Sequence, residues 1–187
     1  MQTRTDFSAI DRFNHWIVAL AVVGLIAVGW TVSLDLLDKD AARSLRNTHK
    51  AIGILVLIFA LWRIGWRLVK GFPQAVPGIA PWQATASRIA HYVLLASIIL
   101  MPVSGILNGY FGGRTAKVFG LFEIAPAAEK VPALKELFSN AHMVIGIILT
   151  ITVIVHIAAA LKHHFVDRDD VLKRMICLLY TSDAADE

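Results

Sequence analysis

Phe138-SNAHMVIGIILTITVIVHIAAA-Leu161 runs twenty-four residues without Asp, Glu, Lys or Arg, yet it holds two histidines, His142 and His156. About twenty apolar residues in a helix cross a hydrocarbon core roughly 30 Å thick, so the stretch reads as a transmembrane helix. The histidines are fourteen residues apart. At about 1.5 Å of rise per residue they lie roughly 21 Å apart, close to four whole turns, and so on nearly one face. Ionisable groups at membrane depth are costly and mark function by default. Two of them at two depths on one helix suggest two stacked sites.

Working outward, three more segments are long and apolar enough to span: about 13–34, 47–68 and 89–111, with 138–161 as the fourth. Arg63 and Arg67 near the end of the second can snorkel to the headgroups. The chain has 187 residues, 57% of them hydrophobic, and a mean hydropathy of +0.63. The fold class that follows is all-α: an integral membrane four-helix bundle forming one compact domain. The first apolar run is too long for a signal-peptide core, so it is expected to stay as a membrane helix. An even number of spans leaves both ends on one side. With both termini in the cytoplasm, ten basic residues fall inside and eight outside, a weak positive-inside bias for that orientation. Trp16, Trp62, Trp66 and Trp82 fall near the inner interface and Trp30 near the outer one. The net charge of +4 reflects lysines and arginines flanking spans, where they meet anionic lipid, and does not point to nucleic acid.

The single cysteine, Cys177, excludes a disulfide framework within one chain. It opens the terminal run CLLYTSDAADE, which reads like the translation of a sequencing-library adapter. The domain is therefore taken as residues 1–176, with 177–187 as an artefact. Between spans, Asp35–Arg46 reads as a charged outer loop, and the inner loop from Lys70 to Ser87 is broken by Pro73, Pro77 and Pro81. The long outer loop 112–137 is expected to hold only a short helix near 133–137.

Depth follows from helix direction. The first span starts inside, which puts His15 near the inner edge. The second and fourth start outside, so His49 and His142 lie near the outer edge and His156 near the inner one. The levels pair His49 with His142 and His15 with His156. His49 precedes Gly53, and His142 precedes Gly146, each by four residues; glycine one turn from a ligand would let a flat ring approach the backbone. A zinc site would want three or four ligands, usually with cysteine or carboxylate, and the spans offer none. A porphyrin iron needs two axial ligands and a large apolar envelope. Two bis-histidine haems with His15, His49, His142 and His156 as axial ligands of the iron are therefore expected in the bundle core. His91 either competes with His15 for His156, or bonds a haem propionate, or lines a quinone site, or is simply interfacial. His163 and His164 are candidates for propionate or quinone contacts, against the reading of a solvated helix end.

These features resemble the bacterial cytochrome b561 family, from about Arg12 to Met175. The likeness rests on Asn14-His15-Trp16, Thr48-His49-Lys50 with Gly53, Arg88-Ile-Ala-His91, the His142–His156 spacing, and the closing Leu161-Lys-His-His-Phe165 and Asp169-Asp170-Val-Leu-Lys-Arg174-Met runs. The resemblance implies a two-haem cytochrome of the bacterial inner membrane that exchanges electrons with ubiquinone. It also implies, from the stand-alone branch, oxidation of periplasmic superoxide coupled to ubiquinone reduction. Arg43, Arg46 and Lys50 lie within two turns of His49, and Arg114 and Lys117 open the long outer loop. They form either a steering funnel for superoxide or ordinary headgroup anchors, diluted by Asp35, Asp38 and Asp40. The residues leave other readings open: an electron-transfer and anchor subunit linking a dehydrogenase or hydrogenase to the quinone pool, or a haem-free bundle. Lipid, ubiquinone and superoxide are the expected partners, and a homodimer or a redox partner subunit stays open.

Overall fold

The computed structural model describes residues 7–70 and 79–176. Four long helices, α1 (Ala9–Ser33), α2 (Lys39–Lys70), α3 (Pro81–Phe111) and α4 (Pro132–Lys162), are each long and apolar enough to cross a bilayer. Between α3 and α4 lies an antiparallel hairpin of β1 (Ala116–Val118) and β2 (Phe122–Ile124). After α4 come a π-helical turn, His163–Asp167, and a short helix, α5 (Lys173–Ile176). The chain is a multi-pass membrane protein.

Each of the four long helices starts from a local signal. Ser8 and Asp11 close a capping box on α1, worth about 1 kcal/mol of helix stability. Asp38 accepts from the backbone N–H of Asp40 at 3.0 Å and of Ala41 at 2.9 Å. These donors hold its carboxyl below the usual carboxylate range. Proline opens α3 and α4 at Pro81 and Pro132, where its missing N–H costs nothing.

The helices overrun the apolar windows of the sequence. Residues 39–46 are helical where a loop was expected, because the Asp38 cap starts α2 well above the membrane-depth residues. The short helix expected near 133–137 is the exposed first turn of α4. The hairpin was not foreseen. Its turn needs left-handed backbone at Phe119 and Gly120 (φ 48° and 78°), closed by Leu121 N–H donating to the Val118 carbonyl at 2.9 Å. Pro73 and Pro77 lie outside the described residues, as does the whole run 177–187.

Close backbone packing follows chain order: α1 on α2, α2 on α3, and α3 most extensively on α4. At mid-depth Val18, Val22, Val56 and Leu149 form an apolar layer. Leu149 stands seven residues from both His142 and His156, and Val56 seven from His49, so this layer lies halfway between the two histidine levels. A second cluster, Ile54 with Ala116 and Val118, seats the hairpin against α2. Hydroxyls at membrane depth bond their own helix, as Thr150 to the Gly146 carbonyl and Thr152 to that of Ile148, both at 2.7 Å, which spares them an unpaired donor in lipid.

Candidate haem sites

At one end of the bundle, the expected outer level, α2 and α4 bring His49 and His142 together, with ring centroids 6.2 Å apart and planes at 71°. At the other end, the expected inner level, His15 of α1 and His156 of α4 stand 6.4 Å apart. An iron between two imidazoles adds two bonds of about 2 Å to two half-rings of roughly 1 Å each, which predicts a centroid separation of about 6 Å. Both pairs have that separation. His91 lies nearer to His156, at 5.5 Å, which is tight for a shared ion. Its Nδ1 lies 2.7 Å from the Ser87 carbonyl and 3.3 Å from Ser87 Oγ.

The outer pair is oriented from behind. His142 Nδ1 lies 3.0 Å from the Met101 carbonyl and 3.1 Å from Ser104 Oγ, while Ser104 donates to that same carbonyl at 2.8 Å. A proton on Nδ1 donating to the carbonyl leaves Nε2 with its lone pair free to ligate a metal. His49 Nδ1 is buried and has no hydrogen-bond partner among the described residues. The two rings of one level are thus supported unequally.

Glycine matters here, though at other positions than the sequence suggested. Gly53 has open space beside it, and Gly146 abuts the Met101 side chain at 3.5 Å. The glycines that back the imidazoles are Gly29 of α1, where a Cβ would stand 3.6 Å from His49 Cε1, and Gly105 of α3. A Cβ on Gly105 would come within 3.2 Å of His142 Cε1 and 3.4 Å of its Nδ1. Sequence reasoning missed Gly29, Gly105, Ser104 and Met101. Depth matching across helices is the signal that finds them, since each lies at the level of an outer histidine.

Of the remaining histidines, His163 is held in a polar cluster at the end of α4. Its Nδ1 lies 2.5 Å from Asp169 Oδ2 and 3.3 Å from Asp167 Oδ2, and Lys162 also reaches Asp167. The π-helical turn and a left-handed Arg168 (φ 54°) fold both aspartates back onto it. His164 packs edge-on to Phe165, and its buried Nδ1 has no hydrogen-bond partner among the described residues. Trp16 Nε1 donates to the Met175 carbonyl at 2.9 Å, tying the final helix under α1.

At the His49 end of the bundle, Lys50 lies within electrostatic reach of Arg46 and Arg114. Arg114 donates to Asn108 Oδ1 at 2.7 Å. Arg43 and Arg46 are exposed. Lys117 is directed otherwise: it stands opposite Glu123 across the hairpin.

Two imidazole pairs on three apolar helices, with no carboxylate or thiolate completing a ligand cluster at either among the described residues, suit a planar iron macrocycle better than a bare divalent ion. The profile of the family described as prokaryotic cytochrome b561 matches residues 6–177. The chain belongs to the prokaryotic cytochrome b561 family. Its cofactor is therefore b-type haem, and the spacing of the histidine pairs fits that group. Curated relatives agree. Cytochrome b561 homolog 2 of Escherichia coli K12 is 30% identical over 175 residues, covering 93% of each chain. The probable superoxide oxidase CybB of Yersinia pestis is 30% identical over 175 residues, 91% of this chain and 95% of its own length. Cytochrome b562 of Cereibacter sphaeroides is 26% identical over 180 residues, 94% and 98% respectively. This cytochrome is thus an inner-membrane electron-transfer protein of the prokaryotic type.

Proposed function

We propose that the chain is a superoxide:ubiquinone oxidoreductase holding two b-type haems, one at each histidine level. His49 and His142 serve as axial ligands at the outer level, and His15 and His156 at the inner. Both termini face the cytoplasm. A b-type haem supplies one-electron redox chemistry tuned by its axial ligands.

The observation that carries this reading is the outer pair lying beneath a basic group. Lys50 follows His49 directly, and Arg46 and Arg114 share its electrostatic neighbourhood. Such a group draws in a small anion and raises its encounter rate. The name of the Yersinia pestis relative supports the same substrate. Superoxide delivers one electron and leaves as dioxygen. Two such events, with two protons drawn from the inner side, convert ubiquinone to ubiquinol. The chain's own work is to hold the imidazoles in register, to keep water out of the mid-depth layer of Val18, Val22, Val56 and Leu149, and to gather the anion at the outer face.

The test is purification of residues 1–176 in detergent, haem quantification and reduced-minus-oxidised spectra. Two low-spin haems per chain, reduced by superoxide and reoxidised by a ubiquinone analogue, are the expected result. Haems that ignore superoxide but exchange electrons with quinol would reject the oxidase and leave an anchor subunit.

A further inference from the structure

The hairpin between α3 and α4 packs on a face of α2 that does not look into the bundle. Its Ala116 and Val118 cover Ile54, with Leu55 of α2 and Ile106 of α3 beside them. On α2 the inward stripe runs His49, Ile52, Val56 and Phe59, the last three of which form or pack against the mid-depth layer. At about 100° per residue, Ile54 lies roughly 160° from Val56 and 140° from His49, on the reverse of the helix. That reverse stripe continues as Ile58 and Leu61, one and two turns on, both exposed. In a multi-pass protein such a stripe meets lipid. β1 therefore lies against the lipid-facing flank of the bundle.

Depth follows from the same residue. The two histidine levels, roughly 21 Å apart, fit within a hydrocarbon core of about 30 Å. Ile54 is five residues past His49 and two short of Val56, so it stands about 7.5 Å nearer mid-depth than His49. Val118, fully buried against it, brings the hairpin to hydrocarbon depth.

The tip is apolar where a hairpin in water would be polar. Phe119 and Gly120 both have left-handed backbone (φ 48° and 78°), and Asn-Gly is the common choice for that turn. Positive φ is costly for an aromatic residue. Here the ring is 60% exposed, beside Leu121 at 76% and Phe122 at 45%. Water gives such a ring nothing in return, whereas acyl chains do. On the opposite face of the strands Lys117 and Glu123 stand across from each other, both exposed. Long charged side chains reach headgroups from an apolar depth. One apolar and one charged face is the pattern of an element lying in the membrane interface.

We propose that residues 116–124 are a membrane anchor, with Phe119, Leu121 and Phe122 seated among the acyl chains of the leaflet at the His49 end. The partner is lipid hydrocarbon, and Lys117 and Glu123 extend to its headgroups. The turn closes on itself, Leu121 N–H to the Val118 carbonyl, which lessens the cost of backbone in apolar surroundings. Arg114 lies just before β1; its N–H donates to the Gly109 carbonyl at 2.9 Å and its guanidinium to Asn108 Oδ1 at 2.7 Å. The anchor thus ties one arm of the basic group near Lys50 to the bilayer. None of this depends on which donor reduces the haems.

The full-length holoprotein with Cys177→Ser has no other cysteine, so single nitroxide labels can be placed by Leu121→Cys and, as an aqueous reference, Glu129→Cys. Haem content equal to the parent's shows that both variants fold. In liposomes of phosphatidylethanolamine and phosphatidylglycerol, power-saturation EPR reads collisions with oxygen, which concentrates in hydrocarbon, and with a neutral nickel chelate, which stays in water. The Leu121 label is expected to meet oxygen freely and the chelate about fivefold less often than the Glu129 label does. Equal chelate access at the two positions overturns the proposal and leaves the hairpin in water. A Leu121 label that meets neither collider also overturns it, since a second copy of the chain would then cover the tip. A lipid-soluble carbene reagent needs no substitution. Label on the 116–124 peptide supports the anchor, and label confined to the four long helices overturns it.

Discussion

At the scale of single residues, the histidines of the outer level are set by what stands behind them. Gly105 gives His142 its place: a Cβ there already presses on the ring, and the branched side chain of valine would push it off its line to His49. Gly105→Val is therefore predicted to lower the haem-to-protein ratio from two towards one, with the inner spectrum retained, as read by pyridine haemochrome assay. Two full haems in that variant would remove Gly105 from the argument. The histidine levels were legible in the sequence because helix rise and direction convert spacing into depth. Their backing was not. Gly29, Gly105, Ser104 and the Met101 carbonyl sit on other helices, and which face each turns inward depends on packing that no single segment encodes.

At the scale of elements, hydropathy located all four helices but not their ends. The extra turns of α2 and α4 are polar, and water tolerates helix there as readily as loop, so apolar windows cannot see them. A cap can. Asp38 caps α2, and its folded carboxyl is held below the usual carboxylate range by the Ala41 and Asp40 N–H groups. The stabilisation is thus present above the unfolded pKa and lost as pH falls through the lower folded one. Amide exchange at Asp40 and Ala41 should accelerate below that pH in the parent. In Asp38→Ala it should already be fast at neutral pH, and equal exchange in the two proteins would deny the cap any role. The hairpin escaped detection for a different reason: strands of three residues carry too few positions for alternation to register.

For the whole molecule, basic residues gather at both ends of the bundle. Arg43, Arg46 and Lys50 climb one side of α2 at the outer level, with Arg114 close to Lys50. Neutralising the first three together is predicted to slow superoxide oxidation several-fold at low ionic strength and to flatten its dependence on salt, since steering acts over a Debye length of about 10 Å. Stopped-flow rates at low and high salt decide this, and an unchanged rate would leave these residues as headgroup anchors. Bundle, family and levels could be read from the chain alone. The exclusion of Lys117 from the basic group could not, because it follows from a strand register that pairs it with Glu123.

Leu149 sits seven residues from each histidine of α4, which makes that helix a gauge as well as a wall. It meters the gap between the two redox levels and at the same time keys their angular phase. One residue inserted after Leu149 would lengthen the gap by only about 1.5 Å but swing His156 through about 100°. The inner pair would then be lost while the outer one kept its spectrum. An insertion of seven residues, close to two turns, would restore the phase but carry His156 about 10 Å past the level of His15 on α1. Both variants should therefore empty the inner level and spare the outer one, the first by angle and the second by depth.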